Sequence, residues 1–228
     1  MNFNTISILP EMFAAITEYG ITGRAFKQKI YTWKNYNPRD YTNDIHKTID
    51  DRPYGGGPGM VMMYQPIKEA LESIKKSDIT IYMSPQGQPL THKKVVELAQ
   101  LDSITILCGR YEGVDQRVID NLVDQEISIG DYVLSGGEIP AMSLMDSIIR
   151  QIPKSLGNQE SAEQDSFNNQ ILDCPHYTRP ETIDNLSVPK ILLSGNHLKI
   201  EQWREKQALA KTTAIRPDLI LKNKQELI

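Results

Sequence analysis

One stretch, residues 107–140, constrains this chain more than any other: LCGRYEGVDQRVIDNLVDQEISIGDYVLSGGEIP. A short apolar strand over 104–107 runs into a glycine-bounded turn, Gly109-Arg110-Tyr111-Glu112-Gly113. A helical pattern follows, then a β-branched run over 126–129 and a second turn, Gly130-Asp131-Tyr132. Ser135-Gly136-Gly137 makes a third. Glycine has no Cβ and tolerates positive φ, so such turns bring backbone N–H and C=O groups close to a ligand. Ligands in open α/β sheets sit just outside the carboxyl ends of strands. The stretch reads as a binding site made mostly of main chain.

The rest of the chain alternates strand and helix patterns around it. Strands are expected over 3–9, 30–36 and 79–83, the last ending at Ser84-Pro85-Gln86-Gly87. Helices are expected over 11–19, closed by Gly20, and over 24–29, 66–75 and 93–98, the last capped by Thr91. This alternation predicts a largely parallel sheet covered by helices on both faces. Right-handed crossovers then place the strand ends after Met83, Leu107 and Ile129 on one edge. Pro140 suits the first turn of a helix running to about 151, because its missing N–H costs nothing there. On that helix Asp146 and Arg150 share a face, and by themselves read as a surface ion pair of about 0.3–0.5 kcal/mol.

Composition excludes some classes. No run approaches the roughly 18 apolar residues of a membrane helix. Met1-Asn2-Phe3-Asn4 lacks the basic start of a secretory signal. Two cysteines, Cys108 and Cys174, make neither a disulfide framework nor a zinc site, and a cytoplasmic location is expected. The net charge of −4 divides unevenly, with +3 from Arg179 to the end and −7 before it. An acidic body with a basic tail fits local phosphate binding, and fits a plain solvated surface as well.

Four glycines within 55–59 invite a phosphate-loop reading, but no Gly-Lys-Ser/Thr follows and the spacing is not G-x-G-x-x-G. A segment near a site, or a tight connection, remains. Residues 154–170 are polar and read as an interdomain linker holding Asp165-Ser166-Phe167, with Asp165 as a helix N-cap on its own terms. Residues 172–180 are rigid and aromatic, with too few ligands for a metal. Residues 189–228 read as a small helical module opened by Ser194-Gly195-Asn196-His197, with Ile200, Trp203 and Gln207 on one face. Arg204, Lys206 and Lys211 are candidates for phosphate contact.

Four blocks, DRPYGGGPGM at 51–60, GRYEG at 109–113, SIGDYVLSGGE at 128–138 and LDCPHYTRP at 172–180, together resemble the bacterial tRNA (guanine-N1)-methyltransferase family, TrmD, of the knotted SPOUT class. The likeness keeps their order and covers effectively the whole chain. It implies an α/β fold, a mostly parallel sheet with helices on both faces and a C-terminal trefoil knot, plus a small helical C-terminal domain. The implied limits are a knotted cofactor-binding domain over 1–156, a linker over 157–170 and a helical tRNA-binding domain over 171–228. The implied reaction is methyl transfer from S-adenosylmethionine to N1 of guanosine 37 in tRNA, by a cytoplasmic homodimer with sites at the subunit interface and no membrane or DNA partner. Magnesium is implied for activity, without a recognisable protein cage.

Carried onto this chain, the resemblance gives the cofactor three walls. Tyr82, Met83, Ser84 and Pro85 form one, and Gly109, Tyr111, Glu112 and Gly113 the second. Ser128, Ile129, Gly130, Asp131, Tyr132, Val133, Leu134, Gly136, Gly137 and Pro140 form the third. Asp165 takes the place of the general base and Arg150 that of its electrostatic partner. The tRNA falls to Ser166, Asp173, His176, Gly195, Asn196 and His197, although either histidine reads equally as a satisfied buried one. A non-catalytic RNA-binding relative would show broken turns or a lost Asp165 or Arg150, and all are present. A knotted ribose methyltransferase has no need of the Asp165-Ser166-Phe167 block. A phosphotransferase would need the missing lysine.

Overall fold

The computed structural model describes residues 1–156 and 165–220. Contacts divide the chain into two units, Met1–Gly157 and Asn158–Ile228. In the first unit, β1 (Asn2–Ile6), β2 (Thr32–Tyr36), β5 (Ile79–Pro89), β6 (Ser103–Cys108) and β7 (Gln125–Ser128) form one sheet. Its order is β2-β1-β6-β5-β7, and every pairing is parallel. Two short strands, β3 (Asp50–Asp51) and β4 (Val61–Met62), pair antiparallel apart from it. The α/β reading with a parallel sheet is what the chain adopts.

Alternation along the strands sends side chains to opposite faces, and both faces are packed. Ile81, Met83, Ile104, Ile106 and Cys108 join one core with α1 (Ala14–Thr17), α2 (Gly20–Lys27), α4 (His92–Leu98) and α6 (Glu138–Ile149). Tyr82 and Leu107, one residue out of phase, join the other with α3 (Tyr64–Glu72) and α5 (Gln116–Leu122). Leu144, Met145, Ile148 and Ile149 of α6 are fully buried. Each such side chain contributes about 1.5–3 kcal/mol.

Several boundaries differ from expectation, each for a local reason. The first strand stops at Ile6, because the Ser7 side chain turns to accept the Leu9 N–H at 3.0 Å. The helix expected over 11–19 is broken into a 3-10 segment, Pro10–Phe13, and the single turn of α1, and Gly20 at φ +66 opens α2 rather than closing a helix. Lys29 takes φ 58 and the Ile30 N–H closes on the Ala25 carbonyl, so the chain does not extend until Thr32. The turn expected after Met83 is instead a bulge within a longer β5, where Met83 and Gln88 both oppose Ile127. A Cβ on Gly87 would lie 2.5 Å from the Glu126 carbonyl carbon, so glycine permits that approach.

In the second unit, β8 (Thr182–Ile183) and β9 (Leu186–Ser187) form a hairpin absent from the sequence reading. Its turn, Asp184-Asn185, has φ of 50° and 62°, the conformation in which these two residue types are preferred. A 3-10 segment, Lys190–Leu193, leads to α7 (His197–Ile215). The Asn196 side chain caps it, accepting the Lys199 N–H at 3.1 Å. Among the described residues no helix begins directly after Asp165, so it is not the expected N-cap. Its carbonyl accepts the Asn168 N–H at 3.4 Å and the Phe167 N–H bonds the Ile171 carbonyl at 2.8 Å, making a compact turn. Expected residues 157–164 of the linker and 221–228 of the tail lie outside the described residues. Among the described residues no helix is long and apolar enough to cross a membrane.

Candidate active site

Strand order creates the site. From β5 the chain moves toward β1 to make β6, and from β6 it moves the other way, past β5, to make β7. Neighbouring strands whose connections diverge leave a crevice at their carboxyl ends. A cleft with a cavity volume of about 140 Å³ lies there, lined by Tyr82–Pro85 at the bulge, by the turn after β6 and by residues 127–130 and 132–137, with Pro140. It gathers every expected cofactor residue except Asp131, and adds Arg110, Ile127 and Ser135. Asp131 stands outside because the Tyr132 N–H bonds the Gly130 carbonyl at 2.9 Å, a three-residue turn with Asp131 at its exposed apex.

The walls are held by backbone. The Gly137 N–H donates to the Gly109 carbonyl at 2.9 Å, joining the first and third turns. A Cβ on Gly137 would lie 2.6 Å from Cys108 Cα, a contact no side-chain motion relieves. Tyr111 holds φ 60, and its phenol is pushed up in pKa by burial and by the Asp50 carboxylate it bonds, with Arg39 opposing. This ties the turn after β6 to the segment before the glycine run. Gly59 approaches so closely that any Cβ there would meet the Glu112 carboxylate. Burial, then the charge of Glu126, raises the Tyr82 phenol, and burial raises the Cys108 thiol far more, so both stay neutral. Beside Arg110 and Glu112, the cleft presents the neutral Tyr82 phenol and apolar Met83, Ile127 and Leu134, which suit a flat uncharged ring such as adenine.

Arg150 follows the last turn of α6, half-buried, its N–H on the Asp146 carbonyl at 3.1 Å, while Asp146 is exposed. Asp165 belongs to the second unit. There an open groove of about 1470 Å³ gathers Asp165, Asp173, His176 and His197 with Arg204. Ser166 Oγ accepts the Asp173 N–H at 3.0 Å, and His176 Nε2 meets Asp173 Oδ2 at 2.7 Å. Burial raises the Asp173 pKa, but bonds from His176 and the Cys174 N–H outweigh it and hold the carboxyl below its ordinary 3.8. Both histidines are exposed, which removes the buried reading. Gly195 precedes the cap at φ +68. Lys211 donates to the Asp173 carbonyl at 3.5 Å, while Lys206 is exposed.

Asp173, Cys174 and His176 place three ligand atoms within 4.8 Å of one another, closer to a metal set than the sequence reading allowed. The set does not fit magnesium, which demands octahedral oxygen ligands. One donor is a thiol that burial and Asp173 keep protonated.

The sequence model of the family described as tRNA (Guanine-1)-methyltransferase TrmD matches residues 1–222. The chain is 56% identical over 225 residues to a "tRNA (guanine-N(1)-)-methyltransferase" of Ralstonia nicotianae, covering 96% of this chain and 86% of that one. It is 53% identical over 223 residues to the protein of that name from Hydrogenovibrio crunogenus, covering 96% and 94%. For that of Shewanella sediminis the figures are 56% over 224 residues, 96% and 93%. Identity this high over nearly the full length leaves one assignment: the chain belongs to the tRNA (guanine-1)-methyltransferase TrmD family.

Proposed function

We propose that this chain is an enzyme that transfers a methyl group from S-adenosylmethionine to N1 of guanosine 37 in tRNA. The observation that carries the reading is the main-chain cleft at the diverging strand ends, in a chain more than half identical to proteins named tRNA (guanine-N(1)-)-methyltransferase. When bound, S-adenosylmethionine supplies an electrophilic methyl group on a sulfonium. The backbone of the three turns would hold the adenosine end, while Met83, Ile127 and Leu134 exclude water from it.

Guanine N1 carries a proton and is a poor nucleophile until that proton leaves. Asp165 is the base that accepts it, at hydrogen-bonding range of about 2.6–3.2 Å from N1. Negative charge then builds on O6, and the Arg150 guanidinium offsets it. Holding acceptor and methyl in line supplies most of the remaining acceleration. The reading takes residues 1–156 as a knotted domain, 157–170 as a linker and 171–228 as the tRNA-binding domain, and the division after Gly157 supports the first limit. The groove with Asp173, His176 and His197, and the helix start at Gly195 and Asn196, would meet splayed-out RNA rather than a groove code. A second copy would cover the exposed Tyr132, Val133 and Ile139 beside the cleft, as a cytoplasmic homodimer. Magnesium remains part of the reading as a requirement for activity, with no residue assigned to it.

The test is methyl transfer from labelled S-adenosylmethionine to unmodified tRNA transcripts carrying guanosine or adenosine at position 37, with magnesium present and the product nucleoside identified by mass spectrometry. N1-methylguanosine from the first transcript alone is the expected result. A ribose-methylated product, or tight donor binding without incorporation, would overturn it.

A further inference from the structure

Arg110 lies between the two glycines of the first turn, yet its side chain reaches the third. Its Nη1 donates to the Ser135 carbonyl at 3.3 Å, and any Cβ on Gly136 would collide with it. Its Nε and Nη2 grip one oxygen of Glu138 at 2.9 and 2.8 Å. The other Glu138 oxygen accepts the Ser7 hydroxyl at 2.7 Å, at the end of β1. Glu138 is fully buried, while the Arg110 side chain is 18% exposed and lines the cleft. One side-chain network thus joins the ends of three elements around the place where adenosine would sit.

Stability does not call for such a pair. Desolvating two charges offsets most of their attraction, and apolar replacements of similar volume commonly serve as well. A cation in the wall of a cleft that takes a sulfonium is a further liability unless its charge is cancelled. Glu138 cancels it. We infer that Arg110 is a positioning residue for the methyl donor: neutralised by Glu138, it fixes the spacing between the turn after β6 and the Ser135-Gly136-Gly137 turn. The inference rests on reading the cleft as the donor site. Binding groups held to within about 0.5 Å lose function when their supporting residues are removed.

The experiment uses the full chain with Arg110→Met, Arg110→Lys and Glu138→Gln, calorimetry with S-adenosylmethionine and with its neutral thioether product, steady-state kinetics with tRNA, and thermal unfolding. Arg110→Met should weaken donor binding about tenfold or more while the tRNA KM changes less than about threefold. Arg110→Lys keeps the charge but not the fork, so it should recover only part of that loss. Glu138→Gln leaves the guanidinium uncancelled and should weaken the sulfonium donor about threefold more than the thioether. Donor affinity unchanged in a folded Arg110→Met protein, or equal losses for sulfonium and thioether in Glu138→Gln, would overturn the inference. If Arg110→Met does not fold, Arg110→Lys decides by the same comparison. A wild-type chain that binds neither ligand would instead refute the reading of the cleft, a separate result.

Discussion

The two units offer a ligand opposite kinds of surface. In the first, a sheet packed on both faces fixes three turns, and the cleft is built from backbone that core packing already orders. In the second, Cys174, Ala208 and Thr212 are the buried residues among those described, and the groove displays side chains to solvent. A site made of main chain on a packed sheet is complete before its ligand arrives. A site made of exposed side chains on a thin core takes its final order from what binds it. The first suits a cofactor that is always the same shape, the second a large and deformable RNA.

The largest expected effect tests that division directly. Asp165→Ala should lower methyl transfer by about 10²–10⁴-fold, the usual worth of a general base, with donor affinity unchanged by calorimetry. Loss of donor binding in that variant would break the comparison, since a residue of the second unit would then be serving the first unit's cleft. Next comes Gly137→Ala. Its Cβ meets the Cys108 backbone, so overpacking should cost about 3 kcal/mol and abolish donor binding, read by thermal unfolding and calorimetry. A variant that melts and binds like wild type would mean the turns are not rigid.

Much of the first unit was legible because glycine, β-branched runs and alternation are local signals. The three turns announced themselves, and one cleft gathers them. Arg110 was printed inside the GRYEG block, but its role depends on Glu138 and Ser135, more than twenty residues away, and no spacing rule links them. The bulge in β5 escaped for the same reason, since Gly87 matters through Glu126 on β7. The hairpin of the second unit is a different kind of miss. Its Asp184-Asn185 turn was a readable signal, passed over because the flanking strands are two residues each.

A smaller effect sharpens the comparison in the second unit. Thr212 Oγ1 accepts the Leu172 N–H at 2.9 Å and donates to the Ala208 carbonyl at 2.7 Å, tying the 172–180 block to α7. Thr212→Val should cost about 1 kcal/mol by stranding that N–H. Hydrogen exchange should speed up across α7 and leave β1 and β6 unchanged if the units are independently stable.

The smallest effect concerns pH. Asp173 titrates below its ordinary 3.8 in the folded chain, so its contribution is present above about that pH and fades as pH falls through the lower folded value. Its side chain is 29% exposed and water screens the pair with His176, so the contribution should be only about 0.2–1 kcal/mol. Asp173→Asn should therefore destabilise the second unit slightly at pH 6, and progressively less as pH falls below about 3.8. Trp33 lies in the first unit and Trp203 in the second, beside Tyr177 at 6.4 Å. In a Trp33→Phe background, Trp203 fluorescence follows the second unit alone. A wild-type–variant difference that persists unchanged into acid would mean Asp173 acts through shape rather than charge, and the groove would then be more preorganised than its exposure implies.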